Sequence, residues 1–186
     1  MLYNMSIIYE RINMINIVDD FFTNDQLLNV QSYASGAFYK TVFFDYIKKK
    51  ENKNRNDTYG LRHYFELKSP LGQVIQERCR KKLRYIIEDT NPESMGALDK
   101  RKLDVLQPHE VRLLVKVNIY IQLIGPTAVS NGICFYDKDP KLDMHIGFRE
   151  NRAILFDSTI IHTPNISADK IWRTTMTLFI NKGSFE

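Results

Sequence analysis

The residues best suited to chemistry lie late in the chain, where His162 ends one strand-like run and Arg173 stands near the start of the next. An imidazole can bind a metal, and a guanidinium can bind a carboxylate through two parallel hydrogen bonds. The first run, 153–162, is apolar and rich in β-forming residues, and the second, 172–181, alternates between two faces. We therefore expect two strands that position these two side chains.

The segment between the two runs contains Pro164 and several turn-forming residues, which predicts a loop or hairpin. A hairpin would pair the two strands antiparallel and bring Arg173 back towards His162. The same hairpin could also leave both side chains exposed to solvent without a function. The pattern alone leaves both interpretations open.

Length and composition are those of a globular protein with one substantial core. Of the 186 residues, 44% are hydrophobic and 26% are charged. No apolar run approaches the roughly 20 residues that span a bilayer, and the N-terminus lacks the pattern of a secretory signal. Cys79 and Cys134 are far apart, which favours free thiols in a reducing compartment. We expect a cytoplasmic protein with no membrane partner.

The net charge of +4 is small, and the basic residues concentrate in 48–55 and 78–84. A polyanion could be attracted to either cluster, but solvated loops and helix faces have the same composition. We do not expect nucleic acid to be a partner.

The N-terminal part of the chain combines helices with short strands. Residues 15–18 read as a strand, and Thr23, Asn24 or Asp25 could cap a helix that ends near Gly36. Residues 47–58 are polar and predict a loop, and 59–67 predict a strand that carries His63. Ser69 and Pro70 begin the strongest helical pattern, which we expect to end near Asp89.

From residue 102 onward the pattern changes to strands and turns. In 113–123 one face is wholly apolar, whereas the other carries Lys116, Asn118, Tyr120 and Gln122, so this strand is either half solvated or lines a polar cavity. Residues 130–132 predict a turn before a short strand at 133–136. The layout predicts an α+β, mainly β protein with a double-stranded β-helix (jelly-roll) core and N-terminal supporting helices.

We expect one domain over residues 1–186, with helical support and the first strands in 1–100 and the β-helix half in 101–186. Several segments together resemble the iron(II)/2-oxoglutarate-dependent dioxygenases, most closely the short prolyl-4-hydroxylase-like forms common in bacteria and their phages. These segments are 17–22, Pro108-His109, 118–121, 131–136, 151–158, His162 and Arg173.

The resemblance implies a set of site residues and cofactors. In that family two histidines and an acid two positions after the first one bind iron(II), which leaves coordination positions for 2-oxoglutarate and oxygen. The resemblance makes His109 the first ligand, His162 the distal ligand and Arg173, eleven residues later, the anchor of the 2-oxoglutarate carboxylate. Tyr120, with its neighbours on the same face, could hydrogen-bond the co-substrate, or that face could be half exposed. No catalytic residue beyond the metal site is implied.

The first metal motif departs from the family pattern. The residue two positions after His109 is Val111, and the nearest acid is the adjacent Glu110. Adjacent side chains of a regular strand point to opposite faces, so His109 and Glu110 could bind one metal only if a bulge or loop turned one of them. We expect the other two histidines, His63 and His145, to be structural or exposed.

Three interpretations follow. The first is an active oxygenase, using Glu110 as an irregularly placed acid and acting on a small molecule or a protein side chain. The second is a pseudoenzyme that keeps the fold as a structural or binding component, for instance in a homo-oligomer or a phage virion. The third is another β-barrel, such as a cupin-like or capsid jelly-roll protein. If the protein is phage-encoded, we expect it in the cytoplasm of the bacterial host or in the virion.

Overall fold

The computed structural model describes residues 15–43, 59–88, 94–101, 115–136, 141–165 and 173–186. These residues form two α-helices, α1 (Asn24–Gly36) and α2 (Pro70–Arg78), and a π-helical turn (Cys79–Leu83) that continues α2. Their strands are, in chain order, β1 (Ile15–Val18), β2 (Lys40–Phe43), β3 (Tyr59–Glu66), β4 (Tyr85–Ile87), β5 (Met95–Arg101), β6 (Val117–Ile124), β7 (Ala128–Tyr136), β8 (Leu142–Phe148), β9 (Arg152–Asp157), β10 (Ile161–Asn165), β11 (Arg173–Ile180) and β12 (Gly183–Phe185). None of the helices in these segments has the length and apolar character needed to cross a membrane.

Two antiparallel sheets face each other. The large sheet has the order β1-β9-β6-β11-β5-β3-β2, the small sheet has the order β10-β7-β8, and β12 pairs separately with β4. Phe135 of β7 packs edge to face on Phe156 of β9, with ring centroids 5.1 Å apart. The predicted mainly β, double-stranded β-helix core is therefore confirmed. We call the face of the large sheet that looks at the small sheet its inner face.

The outer face of the large sheet carries the main hydrophobic core, against which the helices pack. Val30 and Ala34 of α1 and Ile75 of α2 belong to the same buried cluster as Ile119 and Ile121 of β6. The strand alternation predicted for 173–180 is confirmed, since its apolar positions point into this core. These positions are Met176, Leu178 and Ile180.

Both predicted helix starts are confirmed. Thr23 caps α1 in a capping box, in which the Thr23 hydroxyl accepts from the Gln26 backbone N–H and the Gln26 side chain accepts from the Thr23 N–H. Ser69 caps α2 by accepting from the Gly72 N–H, and Pro70 occupies the first helical position. These local signals need no tertiary context.

The predicted end of α2 near Asp89 is wrong. The helix ends at Arg78, the π-helical turn follows, and Arg84 adopts a left-handed conformation with φ of 55°. The next residues form β4, in which Ile86 and Ile87 pair with β12. A short apolar run fits either a helix or a strand, and here pairing with the distant C-terminal strand decides.

The run 153–162 is not one strand, and of the two alternatives for its connection to 172–181 the hairpin is wrong, whereas the loop alternative concerns residues outside the described segments. A turn at 158–160 separates β9 from β10, and the Asp157 carboxylate fixes it by accepting from the Thr159 N–H at 2.8 Å and the Thr159 hydroxyl at 2.6 Å. β10 then pairs with β7 in the small sheet, whereas β11 pairs with β5 and β6 in the large sheet. His162 and Arg173 therefore reach the same interior from opposite sheets.

The predicted turn at 130–132 lies inside β7, where the register with β8 shifts between Ala128 and Gly132. A β-carbon at Gly132 would lie 1.9 Å from the carbonyl oxygen of Ile146, so only glycine allows this approach of the two strands. The turn-forming residues at 130–132 therefore produce an irregularity within a strand, and the chain does not reverse direction there.

Asn151 and Asp19 tie the segment that follows β1 to residues 149–152, which lead into β9. The Asn151 side chain accepts from the Phe22 N–H at 2.8 Å and donates to the Phe22 carbonyl at 2.9 Å. Asp19 accepts from Arg152 Nε at 2.6 Å and Nη2 at 3.0 Å, and from Arg149 Nη1 at 2.6 Å. These contacts lower the pKa of Asp19, first through the hydrogen bond from Arg152, against the opposing effect of burial.

Substitution of Gly132 by alanine should lower the free energy of unfolding by about 1–3 kcal/mol, because the new methyl group overlaps the Ile146 carbonyl. Gly36 is the matched control, since a β-carbon there meets nothing within 4 Å. Gly36→Ala should raise stability by about 0.5 kcal/mol by restricting the unfolded chain. Urea denaturation measures the free energy of unfolding of both variants. Equal changes in the two would contradict the close approach of Gly132 to the Ile146 carbonyl.

Asp19 should make folding stability depend on acidity. A carboxyl whose pKa is lowered in the folded state adds stability above its ordinary pKa of 3.8, and that stability is lost as pH falls through the folded pKa. Asp19→Asn should therefore be less stable than wild type at neutral pH, and the difference should shrink below pH 3.8. Urea unfolding over this range tests it; a difference independent of pH would argue against an ionic role.

Candidate active site

His162 lies near the start of β10, on the side of the small sheet that faces the large one. Its ring packs edge to face on Phe156 at 4.7 Å and lies 6.4 Å from Phe135, and only 6% of the residue is exposed. Nδ1 lies 2.8 Å from the carbonyl oxygen of Ile160. Because a carbonyl can only accept, Nδ1 carries the proton, and in the neutral ring Nε2 carries the lone pair. This is the tautomer that binds a metal through Nε2.

Arg173 begins β11 and crosses from the large sheet to the small one. It is among the largest fully buried side chains of the described residues, with 1% exposure. Its Nη1 donates to Asn131 Oδ1 at 2.8 Å and to the Gly132 carbonyl at 3.1 Å. A buried guanidinium is stable only among acceptors, so the interior beside β7 is polar at this end.

Three polar side chains of β6, Asn118, Tyr120 and Gln122, point to the inner face; we call them the β6 polar stripe. Their exposures are 1%, 4% and 0%, so the half-solvated alternative is wrong at these three positions, whereas Lys116, which precedes β6, is exposed. Four of their polar atoms have no hydrogen-bond partner among the described residues: Asn118 Nδ2 and Oδ1, Tyr120 Oη and Gln122 Nε2. Because buried polar atoms are nearly always paired, we expect a polar ligand to bind against the stripe.

The β6 polar stripe runs between the two ends of the site. Asn118 lies opposite Phe156, whose ring packs on His162, and Gln122 lies opposite Thr175, two residues after Arg173. Four residue steps of about 3.3 Å each give the stripe a length of about 13 Å. The space between the sheets thus has an imidazole at one end, a guanidinium at the other and unpaired polar groups between them.

Of the predicted site residues, the fold brings His162, Arg173 and Tyr120 to the same interior. His109 and Glu110, with Val111, lie outside the described residues, so their roles as metal ligands stay predictions. Within the described segments no three His, Cys, Asp or Glu side chains are grouped so that they could hold a metal. A complete ligand set would therefore draw on residues beyond those segments.

The remaining two histidines lie away from this interior. His63 donates from Nδ1 to the Phe38 carbonyl at 2.9 Å and accepts at Nε2 from the Tyr33 hydroxyl at 3.1 Å, which confirms the predicted structural role. His145 lies opposite Cys134, whereas His162 lies opposite Phe135, so His145 is on the other face of the small sheet.

Sequence reasoning missed Asn131, which it placed in a turn, and did not single out Gln122 from the polar face. The residue pattern does mark Gln122, because it continues the inward series begun by Asn118 and Tyr120. Nothing in the local sequence of Asn131 indicates a contact with Arg173, which lies 42 residues away.

No protein-family model matches the sequence, and no curated protein is similar to it in sequence. Solved structures are similar in fold. A 2OG-Fe(II) oxygenase family protein from Burkholderia pseudomallei aligns with a TM-score of 0.59 and 10% identity over 90% of this chain and 85% of that one. A prolyl-4-hydroxylase from Pseudomonas putida gives 0.59 and 10% over 91% and 94%. HygX from Streptomyces hygroscopicus, with nickel, 2-oxoglutarate and hygromycin B bound, gives 0.60 and 12% over 92% and 82%.

Removing the hydroxyl of Tyr120 should not destabilise the ligand-free protein. Tyr120 Oη has no partner in the described structure, so Tyr120→Phe should leave the free energy of unfolding unchanged or raise it by up to about 1 kcal/mol. The matched control is Tyr39→Phe, because the Tyr39 hydroxyl donates to the Ala34 carbonyl at 2.6 Å. That variant should lose about 1 kcal/mol in urea denaturation. An equal loss in both would mean that Tyr120 is structurally paired.

Proposed function

We propose that this chain, which has the fold of the iron(II)/2-oxoglutarate-dependent dioxygenases, is an oxygenase that binds both cofactors between its two sheets. The observation that carries the proposal is the β6 polar stripe, whose four unpaired buried atoms lie between His162 and Arg173. A fold without a ligand there would be more stable with apolar side chains at these positions. A polar ligand that reaches from the imidazole to the guanidinium accounts for all of them.

The residues fit the two cofactors. His162 would bind iron(II) through Nε2, and we propose His109 and Glu110 as the other protein ligands. Arg173 would bind the far carboxylate of 2-oxoglutarate, for which a planar guanidinium is better suited than an ammonium. The Tyr120 hydroxyl lies along the same stripe and would donate to the bound co-substrate. When bound, iron(II) with 2-oxoglutarate and oxygen supplies the oxidising power to hydroxylate a C–H bond.

The surrounding residues hold these groups in place and keep water out. The hydrogen bond from Nδ1 to Ile160 and the edge of Phe156 fix the plane of the His162 ring. Asn131 holds the Arg173 guanidinium from the opposite sheet. Ile133, Ile146 and Ile154 belong to the apolar cluster that encloses Tyr120, so a bound carboxylate would be shielded from bulk solvent.

We propose hydroxylation as the reaction and a small molecule or a protein side chain as the substrate. Similar folds include both a protein named as a prolyl-4-hydroxylase and one solved with hygromycin B. Function cannot be read from a shared fold, so the cofactor site is the part to test first.

Anaerobic calorimetry with iron(II) and 2-oxoglutarate tests the proposal. Wild type should bind both, and His162→Ala should lose metal binding because a ligand is removed. Arg173→Lys should keep the metal but weaken 2-oxoglutarate by about 10- to 100-fold, since the ammonium keeps the charge without the two-pronged contact.

His145→Ala is the matched control, because this histidine lies on the other face of the small sheet. It should bind metal and 2-oxoglutarate as wild type does. If wild type shows neither binding heat nor a thermal shift with both cofactors present, the oxygenase proposal is wrong and a catalytically degenerate binding or structural protein takes its place.

A further inference from the structure

We infer that Gln122 is a second anchor for the far carboxylate of the co-substrate, donating from Nε2 beside the Arg173 guanidinium. This inference rests on the proposed function and adds to it a residue that selects for a dicarboxylate.

The orientation of the Gln122 amide is fixed by a hydrogen bond at its other branch. Oε1 accepts from the Arg149 backbone N–H at 2.7 Å, and only the carbonyl oxygen of an amide can do so. The Gln122 backbone carbonyl also accepts from the Asn151 N–H at 2.7 Å, so both side chain and main chain are held by the same turn. Nε2 is therefore a donor, and the side chain cannot turn over to present its oxygen without losing the bond to Arg149.

That donor is buried and unsatisfied. Gln122 has 0% exposure, and Nε2 has no hydrogen-bond partner among the described residues. An unpaired buried N–H lowers the stability of the folded state. Rotation of the amide would not relieve this, because it would break the hydrogen bond from the Arg149 N–H. The arrangement therefore favours an acceptor supplied from outside the chain.

The strand pairing places Gln122 near Arg173. Gln122 lies opposite Thr175 on the neighbouring strand, and Arg173 shares the inner face with Thr175. The pairing of β6 and β11 is irregular between Thr174 and Thr175, and a β-carbon at Gly125 would lie 3.1 Å from Cβ of Arg173. The start of β11 is thus drawn close to the end of β6, where Gln122 lies.

Guanidinium and amide N–H groups are both donors, so a ligand between them must offer oxygen acceptors. A carboxylate has two such oxygens, and a charged acceptor strengthens both bonds. A 2-oxo monocarboxylate lacks this second group and gains nothing from Gln122. We therefore expect Gln122 to contribute to the preference for 2-oxoglutarate over 2-oxobutyrate.

Gln122→Glu is the decisive variant, because it separates the two roles of the side chain. A glutamate keeps an oxygen that can accept from the Arg149 N–H but replaces the donor by an anionic oxygen. With manganese(II) in place of iron(II), calorimetry should show 2-oxoglutarate affinity lowered by about 10- to 100-fold, whereas 2-oxobutyrate affinity stays within about twofold. Wild-type affinity for 2-oxoglutarate in this variant would overturn the inference.

Gln122→Met provides a second test in case the glutamate disturbs folding. Methionine has neither donor nor charge at similar volume, so 2-oxoglutarate affinity should again fall by about tenfold or more while the unfolding midpoint confirms a folded protein. A folded methionine variant with unchanged affinity would also overturn the inference.

A metal-free arm separates this inference from the oxygenase proposal. Glutarate carries the far carboxylate without the chelating 2-oxo acid, so wild type should show a thermal shift with glutarate that Gln122→Glu loses. That result without any metal binding would support the carboxylate site and contradict the oxygenase proposal. If metal and 2-oxoglutarate bind but Gln122 variants change neither affinity, the oxygenase proposal stands and the role of Gln122 is wrong. If wild type responds to neither ligand, both proposals are wrong.

Discussion

Strand β6 lies inside the large sheet and is buried on both faces, and one of those faces is polar. Its outer face joins the hydrophobic core under the helices, whereas its inner face presents Asn118, Tyr120 and Gln122 to the small sheet. A strand covered on both sides is normally apolar throughout, because each unpaired buried polar group costs about 1–3 kcal/mol. The polar stripe therefore makes the ligand-free fold less stable than it would be with apolar side chains at these positions.

The rest of the architecture brings an imidazole and a guanidinium to that stripe from two directions. The Asp157 turn transfers the chain from β9 to β10 and so puts His162 on the opposing sheet, against Phe156. Arg173 comes from the strand beside β6 and is held across the gap by Asn131. The site is thus shared between sheets, and its geometry depends on their packing as much as on any one segment.

The sequence predicted the features that are local and missed those that depend on distant pairing. Thr23 and Ser69 predict the starts of their helices because each caps its helix through a contact with a residue three positions away. The end of α2 and the strands β2, β5 and β12 were not predictable in this way, because each is defined by a partner far along the chain. His162 and Arg173 were singled out by residue type and by the family resemblance, and Tyr120 by the strand face that it shares with Asn118. The sequence could not predict that Gln122 presents a donor, because the orientation of its amide depends on the hydrogen bond from the Arg149 N–H.

The same stripe bears on whether the fold serves chemistry or only structure. In a purely structural protein, Leu, Phe and Met would occupy the positions of Asn118, Tyr120 and Gln122 at similar volume, without unpaired groups and with greater stability. A ligand that pairs these groups stabilises the folded state by an amount that rises with the logarithm of its concentration divided by its dissociation constant. Since Arg173 spans both sheets, that gain would also hold the three-stranded sheet against the larger one. The buried polar stripe therefore argues for a ligand-binding interior.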